Sequence, residues 1–254
     1  MPSYPEFSGR SVAITGAAQG IGAVTARAFA KEGAFVALLD IDADGAGVIA
    51  KEVVAAGGKA LAVRTDVTDE KSVADAMSTI VAKFDGLDVL VNCAGGYGRL
   101  ATVEDMPLDE WEKTITLNLR SVFLMSRAAI PHLKKSTAGR IISVASISGR
   151  TVTAASSPAY GSAKAAVIQL TRFLAQQLGP DGITANAIAP ITTLTPRVKA
   201  LRTDEDIARI AAQVPLRRLA VSEDHANAML FLASDAAAYI NGVVLDVNGG
   251  RVMM

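Results

Sequence analysis

The chain has a single cysteine and two histidines in 254 residues. Cys93 alone can close no intramolecular disulfide, and is read as a small packing residue in a reducing compartment. His132 and His225 stand far apart in sequence, so no cysteine–histidine zinc spacing is present and no metal site is expected. Both histidines have charged neighbours in helical stretches and are read as surface residues. An excess of one charge is also missing: 25 Lys and Arg balance 25 Asp and Glu, which removes the warrant for a nucleic-acid or anionic-membrane partner. Mean hydropathy is +0.33, yet no apolar run approaches the roughly 18 residues of a spanning helix. The stretch from Ala34 to Leu39, for example, ends at Asp40. Residues Met1 to Arg10 carry two prolines and Glu6 in place of a basic start and an apolar core. No secretion leader is therefore expected, and a cytoplasmic location is the default.

Half of the residues are hydrophobic and 20% are charged, enough apolar material for a large core. Their order decides the architecture. Ser11 to Thr15 reads as a strand, followed by a glycine-rich turn and a helix from about Gly20 to Glu32. The unit recurs as strand Ala34 to Asp40, helix Asp44 to Ala56, strand Lys59 to Thr65, helix Asp69 to Phe84 and strand Leu87 to Asn92. Helical stretches at Leu108 to Lys135 and Pro158 to Leu178 then alternate with strands at Arg140 to Ala145 and Ile183 to Ile188. A surface helix near Glu223 to Ser234 and a strand at Gly242 to Val247 follow. Unbroken alternation with no Pro/Gly/Ser-rich joint predicts one doubly wound α/β domain over residues 1–254, with about seven parallel strands and helices on both faces. Residues 191–215 interrupt the pattern with a threonine-rich loop and a charged helix, and are expected to form a substrate lid.

Three features carry chemistry. Gly16, Gly20 and Gly22 lie in the turn between the first strand and first helix, where glycine lets a pyrophosphate approach the backbone and the helix start offers N–H groups. The same glycines would also serve a purely structural turn. Asp40 ends the second strand, where an acid accepts hydrogen bonds from ribose hydroxyls and repels a 2′-phosphate; capping of the next helix is the competing role, since Asp42 and Asp44 follow. No Arg or Lys lies between Gly16 and Gly22, and Gln19 fills the place one would take. Tyr160 and Lys164 are four apart, on one helix face. An ammonium about 4 Å from the phenol at an effective dielectric of about 20 is worth on the order of 4 kcal/mol, or roughly 3 pKa units. That would suit Tyr160 to acid–base work, although an ordinary surface pair has the same spacing.

Thr15 to Gly22, Asn92-Cys93-Ala94-Gly95, Asn118, Ser146, Tyr160-Gly161-Ser162-Ala163-Lys164 and Asn186 to Pro190 together resemble the short-chain dehydrogenase/reductase family. The ordered set spans nearly the whole chain, and its length and ending, Gly242 to Gly250, are similar to the family's short form. The resemblance implies a Rossmann-type domain and an NAD-dependent oxidoreductase interconverting a secondary alcohol and a ketone. It implies Tyr160 as general acid/base, Ser146 as donor to the substrate oxygen, Lys164 on the nicotinamide ribose, and Asn118 holding a water in a proton relay from Lys164. Implied cofactor contacts are Gly16, Gln19, Gly20, Ile21, Gly22, Asp40, Asp66, Val67, Asn92, Ala94, Gly95, Tyr160, Lys164, Pro190, Thr193 and Thr195. For Asn92, tying neighbouring strands together is the rival role. The family's habit further implies a homo-oligomer, a tetramer foremost, formed through helices at about Leu117 to Lys135 and Pro158 to Leu178.

Three positions depart from the family pattern. Ile191 follows Pro190 where Gly is usual, Ser146 stands 14 residues before Tyr160 with Ser143 and Ser148 as competitors, and Cys93 replaces Asn or Ala. The substrate pocket is expected from the stretch after Ser146, the Gly96 to Leu100 loop and the lid, with Arg99 and Arg150 as cations that could meet a carboxylate. Trp111 is read as a core or interface anchor. The alternatives to an NAD-linked alcohol dehydrogenase are an NADPH-dependent 3-oxoacyl-thioester reductase and a dinucleotide-binding sensor on the same fold.

Overall fold

The computed structural model describes residues 3–153 and 156–253. Its strands are β1 (Ser11–Thr15), β2 (Phe35–Asp40), β3 (Lys59–Arg64), β4 (Val89–Asn92), β5 (Arg140–Val144), β6 (Thr184–Pro190) and β7 (Val244–Val247). They form one seven-stranded sheet in the order β3-β2-β1-β4-β5-β6-β7, with every pairing parallel. Parallel pairing forces each connection to cross a face of the sheet, and helices make those crossings. They are α1 (Gly20–Lys31), α2 (Ala43–Ala55), α3 (Glu70–Phe84), α4 (Leu108–Ile115), α5 (Ser121–Leu133), α6 (Pro158–Leu178), α7 (Pro196–Leu201), α8 (Asp204–Ala211) and α9 (Ser222–Ala233).

Alternate residues of the central strands feed two cores. Val12, Ile14, Val36 and Leu38 pack with Phe29 of α1, Ile49 and Val53 of α2 and Met229 of α9. Ala13, Ala37 and Leu39 pack on the other side with Met77 and Ile80 of α3, Met125 of α5 and Leu174 of α6. Both faces are therefore covered, which is why the strands read as continuous apolar runs.

Two expectations change. The helical stretch from Leu108 to Lys135 is divided by a π-helical turn, Thr116–Arg120, between α4 and α5; its wider turn carries Asn118 inward. Helix α9 is no surface element: Ser222, His225, Ala226, Met229, Leu230 and Ala233 are buried along one stripe, and the helix packs against α1 and the sheet.

Strand order reverses between β1 and β4, both neighbours in the sheet. Loops leaving the carboxyl ends of strands at such a point diverge and open a crevice. Thr15 binds the two sides together, its Oγ1 accepting the N–H groups of Cys93 and Ala94 at 2.9 Å each.

Candidate active site

The turn after β1 needs its glycines for stated reasons. Gly16 and Gly20 have φ of +67° and +57°, a region that side chains disfavour. A Cβ on Gly22 would lie 2.1 Å from the Gly16 carbonyl oxygen, and one on Gly16 would lie 2.9 Å from Ala94 Cα. Gln19 is the N-cap of α1 and gives no side-chain cap, so the first N–H groups of the helix remain donors for an anion. Ile21, beside them, packs against the apolar core.

Asp40 separates from its competitors. Asp42 caps α2 by accepting the Gly45 N–H at 3.0 Å, whereas Asp40 accepts the N–H groups of Ala18 at 2.9 Å and Asp42 at 3.0 Å. Its carboxylate is thus fixed against the glycine turn. The Asp66 carboxylate accepts the Thr68 hydroxyl at 2.6 Å and its N–H at 2.9 Å, bonds that hold it below the ordinary carboxylate range. Val67 is buried in the core beneath β1 and β2.

Asn92 takes the strand-tying arrangement, with Nδ2 donating to Ser126 at 3.3 Å and Ser143 at 3.5 Å. Ser143 is fully buried there, with its hydroxyl against the Asn92 amide. Ser148 is turned to Thr153, 3.2 Å away.

After Pro190 the unusual Ile191 is buried with Ile147, Val214 and Ala220, an apolar anchor that glycine could not supply. The Thr193 hydroxyl is engaged within the chain: it donates to the Ile191 carbonyl at 2.9 Å and meets His225 Nε2 at 2.7 Å. With the hydroxyl proton on Ile191, Thr193 accepts from His225, so Nε2 carries the imidazole proton and the buried Nδ1, which has no partner among the described residues, is a bare lone pair. His225 is fully buried, in contrast to the surface place expected of it, and burial lowers its pKa to about 4 against the pull of Asp224. Thr195 caps α7 through the Val198 N–H at 3.3 Å. A Cβ on Gly20 would meet its methyl at 3.7 Å, so the 191–215 segment returns over the glycine turn.

Asn118, Ser146, Tyr160 and Lys164 converge where β5, α6 and the π turn meet. Asn118 is fully buried; Oδ1 accepts the Gly96 N–H at 3.1 Å, and Nδ2 donates to the carbonyls of Gly96 and Thr114 at 3.0 Å each. Lys164 Nζ donates to the Val144 carbonyl at 2.7 Å. A Cβ on Gly95 would lie 2.7 Å from Asn118 Oδ1 and 3.3 Å from Lys164 Nζ, so the two polar groups share one niche that only glycine leaves open. Ser146 is buried at the carboxyl end of β5, its Oγ accepting the Ser148 N–H at 3.1 Å.

The electrostatics differ from the expectation drawn from spacing. Lys164 Nζ stands 5.7 Å from the centre of the Tyr160 ring and donates to the Val144 carbonyl. Burial raises the Tyr160 phenol above its ordinary value, Tyr97 raises it further, and Ser146 opposes them. Burial lowers Lys164 to about 8 and pushes the Cys93 thiol up to about 12. The niche holds a phenol that burial keeps protonated, a hydroxyl donor and an amine lowered to about 8, a set able to exchange a proton with a substrate oxygen.

Arg150 leaves the list of candidate carboxylate partners, because its guanidinium pairs with Asp246 at 3.0 Å and donates to the Val244 carbonyl. Sequence reasoning placed the Gly96 to Leu100 loop at the pocket without singling out Tyr97, whose ring lies 4.7 Å from that of Tyr160. It missed the inward face of His225, although the spacing of Ser222, His225, Ala226, Met229 and Ala233 carries the helical signal. Among the described residues, no group of three or more His, Cys, Asp or Glu side chains could hold a metal ion, and no helix is long and apolar enough to cross a membrane.

A family model described as enoyl-(acyl carrier protein) reductase matches residues 16–251. The chain is 43% identical over 244 residues to cis-4-hydroxycyclohexanecarboxylate dehydrogenase of Sinomonas cyclohexanicum, covering 96% of this chain and 97% of that protein. It is 37% identical to 7alpha-hydroxysteroid dehydrogenase of Escherichia coli (strain K12), over 97% of this chain and 95% of the relative. The crystal structure of a dehydrogenase/reductase from Sinorhizobium meliloti 1021 superimposes with a TM-score of 0.90 at 32% identity, covering 97% and 96% of the two chains. The chain belongs to the short-chain dehydrogenase/reductase family, as an oxidoreductase that acts on CH–OH groups with a nicotinamide dinucleotide.

Proposed function

We propose that the chain is a cytoplasmic, NAD-dependent dehydrogenase of alicyclic secondary alcohols, with Tyr160 as its proton carrier. The observation that carries the reading is the convergence of Tyr160, Ser146, Lys164 and Asn118 beside the loop that contacts the glycine turn. The positive-φ glycines, the open start of α1 and the close contact of Gly16 with Ala94 fit a dinucleotide laid along the crevice. The fixed carboxylate of Asp40 favours NAD, because a 2′-phosphate would meet a negative charge with no cation in the turn. The ring alcohols in the names of both relatives support the substrate class.

When bound, the nicotinamide supplies the hydride donor or acceptor. The chain moves the proton. Ser146 Oγ orients the substrate oxygen, and the raised Tyr160 phenol gives that oxygen a proton during ketone reduction. For alcohol oxidation the phenol must first lose its proton, so this direction strengthens as pH rises. Lys164, near 8, and Asn118, in the same niche, form the route to solvent. Residues 191–215 act as the lid, held at their root by the buried Ile191 and by the Thr193–His225 bond. The exposed Leu117, Phe123 and Phe173 on the π turn, α5 and α6 support assembly as a homo-oligomer, a tetramer foremost.

The test is a panel of cyclic and open-chain secondary alcohols run with NAD and with NADP, followed by nicotinamide absorbance. Turnover of cyclic alcohols with NAD preferred is expected, and Tyr160→Phe should lower it by at least about 100-fold while cofactor binding persists. A preference for NADP, or substantial activity in Tyr160→Phe, would overturn the corresponding part.

A further inference from the structure

Tyr97 occupies a built position. It follows Gly96, whose peptide is clamped on both sides by Asn118. Two residues on, the Arg99 N–H donates to Glu110 Oε1 of α4 at 2.9 Å. Between them, a Cβ on Gly98 would lie 2.4 Å from Thr114 Oγ1, so the loop is seated directly on α4. With its backbone held at both ends, the Tyr97 ring lies against Tyr160 at a centroid distance of 4.7 Å and an angle of 42°.

The two rings differ in exposure: Tyr160 is 7% exposed, whereas Tyr97 packs on it and is still 50% exposed. Arg202, the residue that follows α7, draws the Tyr97 phenol down against the larger effect of burial. That coupling brings Arg202 of the 191–215 segment within electrostatic reach of Tyr97.

We propose that Tyr97 is a specificity-determining residue whose open ring face receives the ring of an alicyclic alcohol while its inner face shields Tyr160 from water. The proposal rests on the alicyclic-alcohol reading above. A saturated ring presents a flat apolar face that packs on an aromatic one, and an open chain of equal carbon number must lose rotamer freedom to do the same. The shield has a second consequence. By keeping water off the phenol, Tyr97 holds the ionisation of Tyr160 at high pH.

The experiment compares wild type with Tyr97→Ala, Tyr97→Leu and Tyr97→Phe, using cyclohexanol and 2-hexanol over a range of pH. The ring is exposed and lies in a loop, so the variants are expected to fold, with Leu as the second truncation should Ala not. Loss of half a buried aromatic face predicts a rise of roughly tenfold to thirtyfold in KM for cyclohexanol in Ala and Leu, and a clearly smaller one for 2-hexanol. Phe should stay within about twofold for both alcohols, since it keeps the ring. In Ala the limb of kcat for oxidation should move to lower pH as water reaches Tyr160. Equal losses on both alcohols, or an unmoved limb together with unchanged KM, would overturn the proposal. Wild-type turnover of 2-hexanol but not of any cyclic alcohol would sink it while sparing the dehydrogenase assignment. No turnover of either alcohol would remove the underlying reading, and this proposal with it.

Discussion

Replacement of His225 by Gln offers a quantitative check on the lid root. Gln keeps an N–H donor for Thr193 and abolishes titration. In the folded chain His225 has a pKa of about 4, against an ordinary value of 6.5. The folded value is depressed, so the unfolded chain binds the extra proton: the contribution is complete above pH 6.5 and is lost as pH falls toward 4. At about 1.36 kcal/mol per pKa unit, wild type should lose about 2 kcal/mol between pH 7 and about pH 4.5 through this side chain. Carboxylates that titrate in the same window are shared by both proteins and cancel in the comparison. Thermal unfolding at the two pH values should therefore show wild type dropping roughly 4–8 °C further than His225→Gln. The variant itself should lose a modest amount at pH 7, where the shape of the imidazole is missed. Equal drops in the two proteins would refute the buried, neutral imidazole, and with it the assignment of the proton to Nε2.

Gly22→Ala should reduce cofactor affinity by at least about tenfold, because the new Cβ lands 2.1 Å from the Gly16 carbonyl oxygen and backbone must move; dinucleotide titration by fluorescence measures it, and unchanged affinity would show that the turn tolerates the shift. The exposed Phe123 and Phe173 predict a solution mass of several protomers at micromolar concentration, and Phe123→Glu with Phe173→Glu should lower it. A wild-type mass of one protomer would end that part of the proposal.

The fold was legible because its signal is repeated: seven strands, most of them apolar on both faces, alternate with amphipathic helices, and each unit supports the next. Helix α6 begins at Pro158 as read, since Ser157 caps it and proline suits the first turn. The π turn left no such mark, since one extra residue in a helical turn shifts phase without changing composition. At the site, residue types were legible and orientations were not. Spacing put Lys164 on the face of Tyr160, but the Val144 carbonyl holds Nζ, a partner 20 residues away in sequence. Arg150 was open to a carboxylate until β7 supplied Asp246. His225 was misplaced because its charged neighbours Glu223 and Asp224 were weighted above the apolar stripe to which it belongs.

The double clamp of Asn118 on Gly96 makes one amide the shared foundation of two functions. It fixes the start of the loop that presents Tyr97, and it lines the niche of Lys164. New substrate preferences can therefore be sought by varying the side chains at Tyr97 and Leu100, which ride on the clamped peptide. Deleting or lengthening the loop at Gly96 would disturb the proton route as well, so in this chain the wall of the pocket can be recoloured freely but its hinge line cannot be moved.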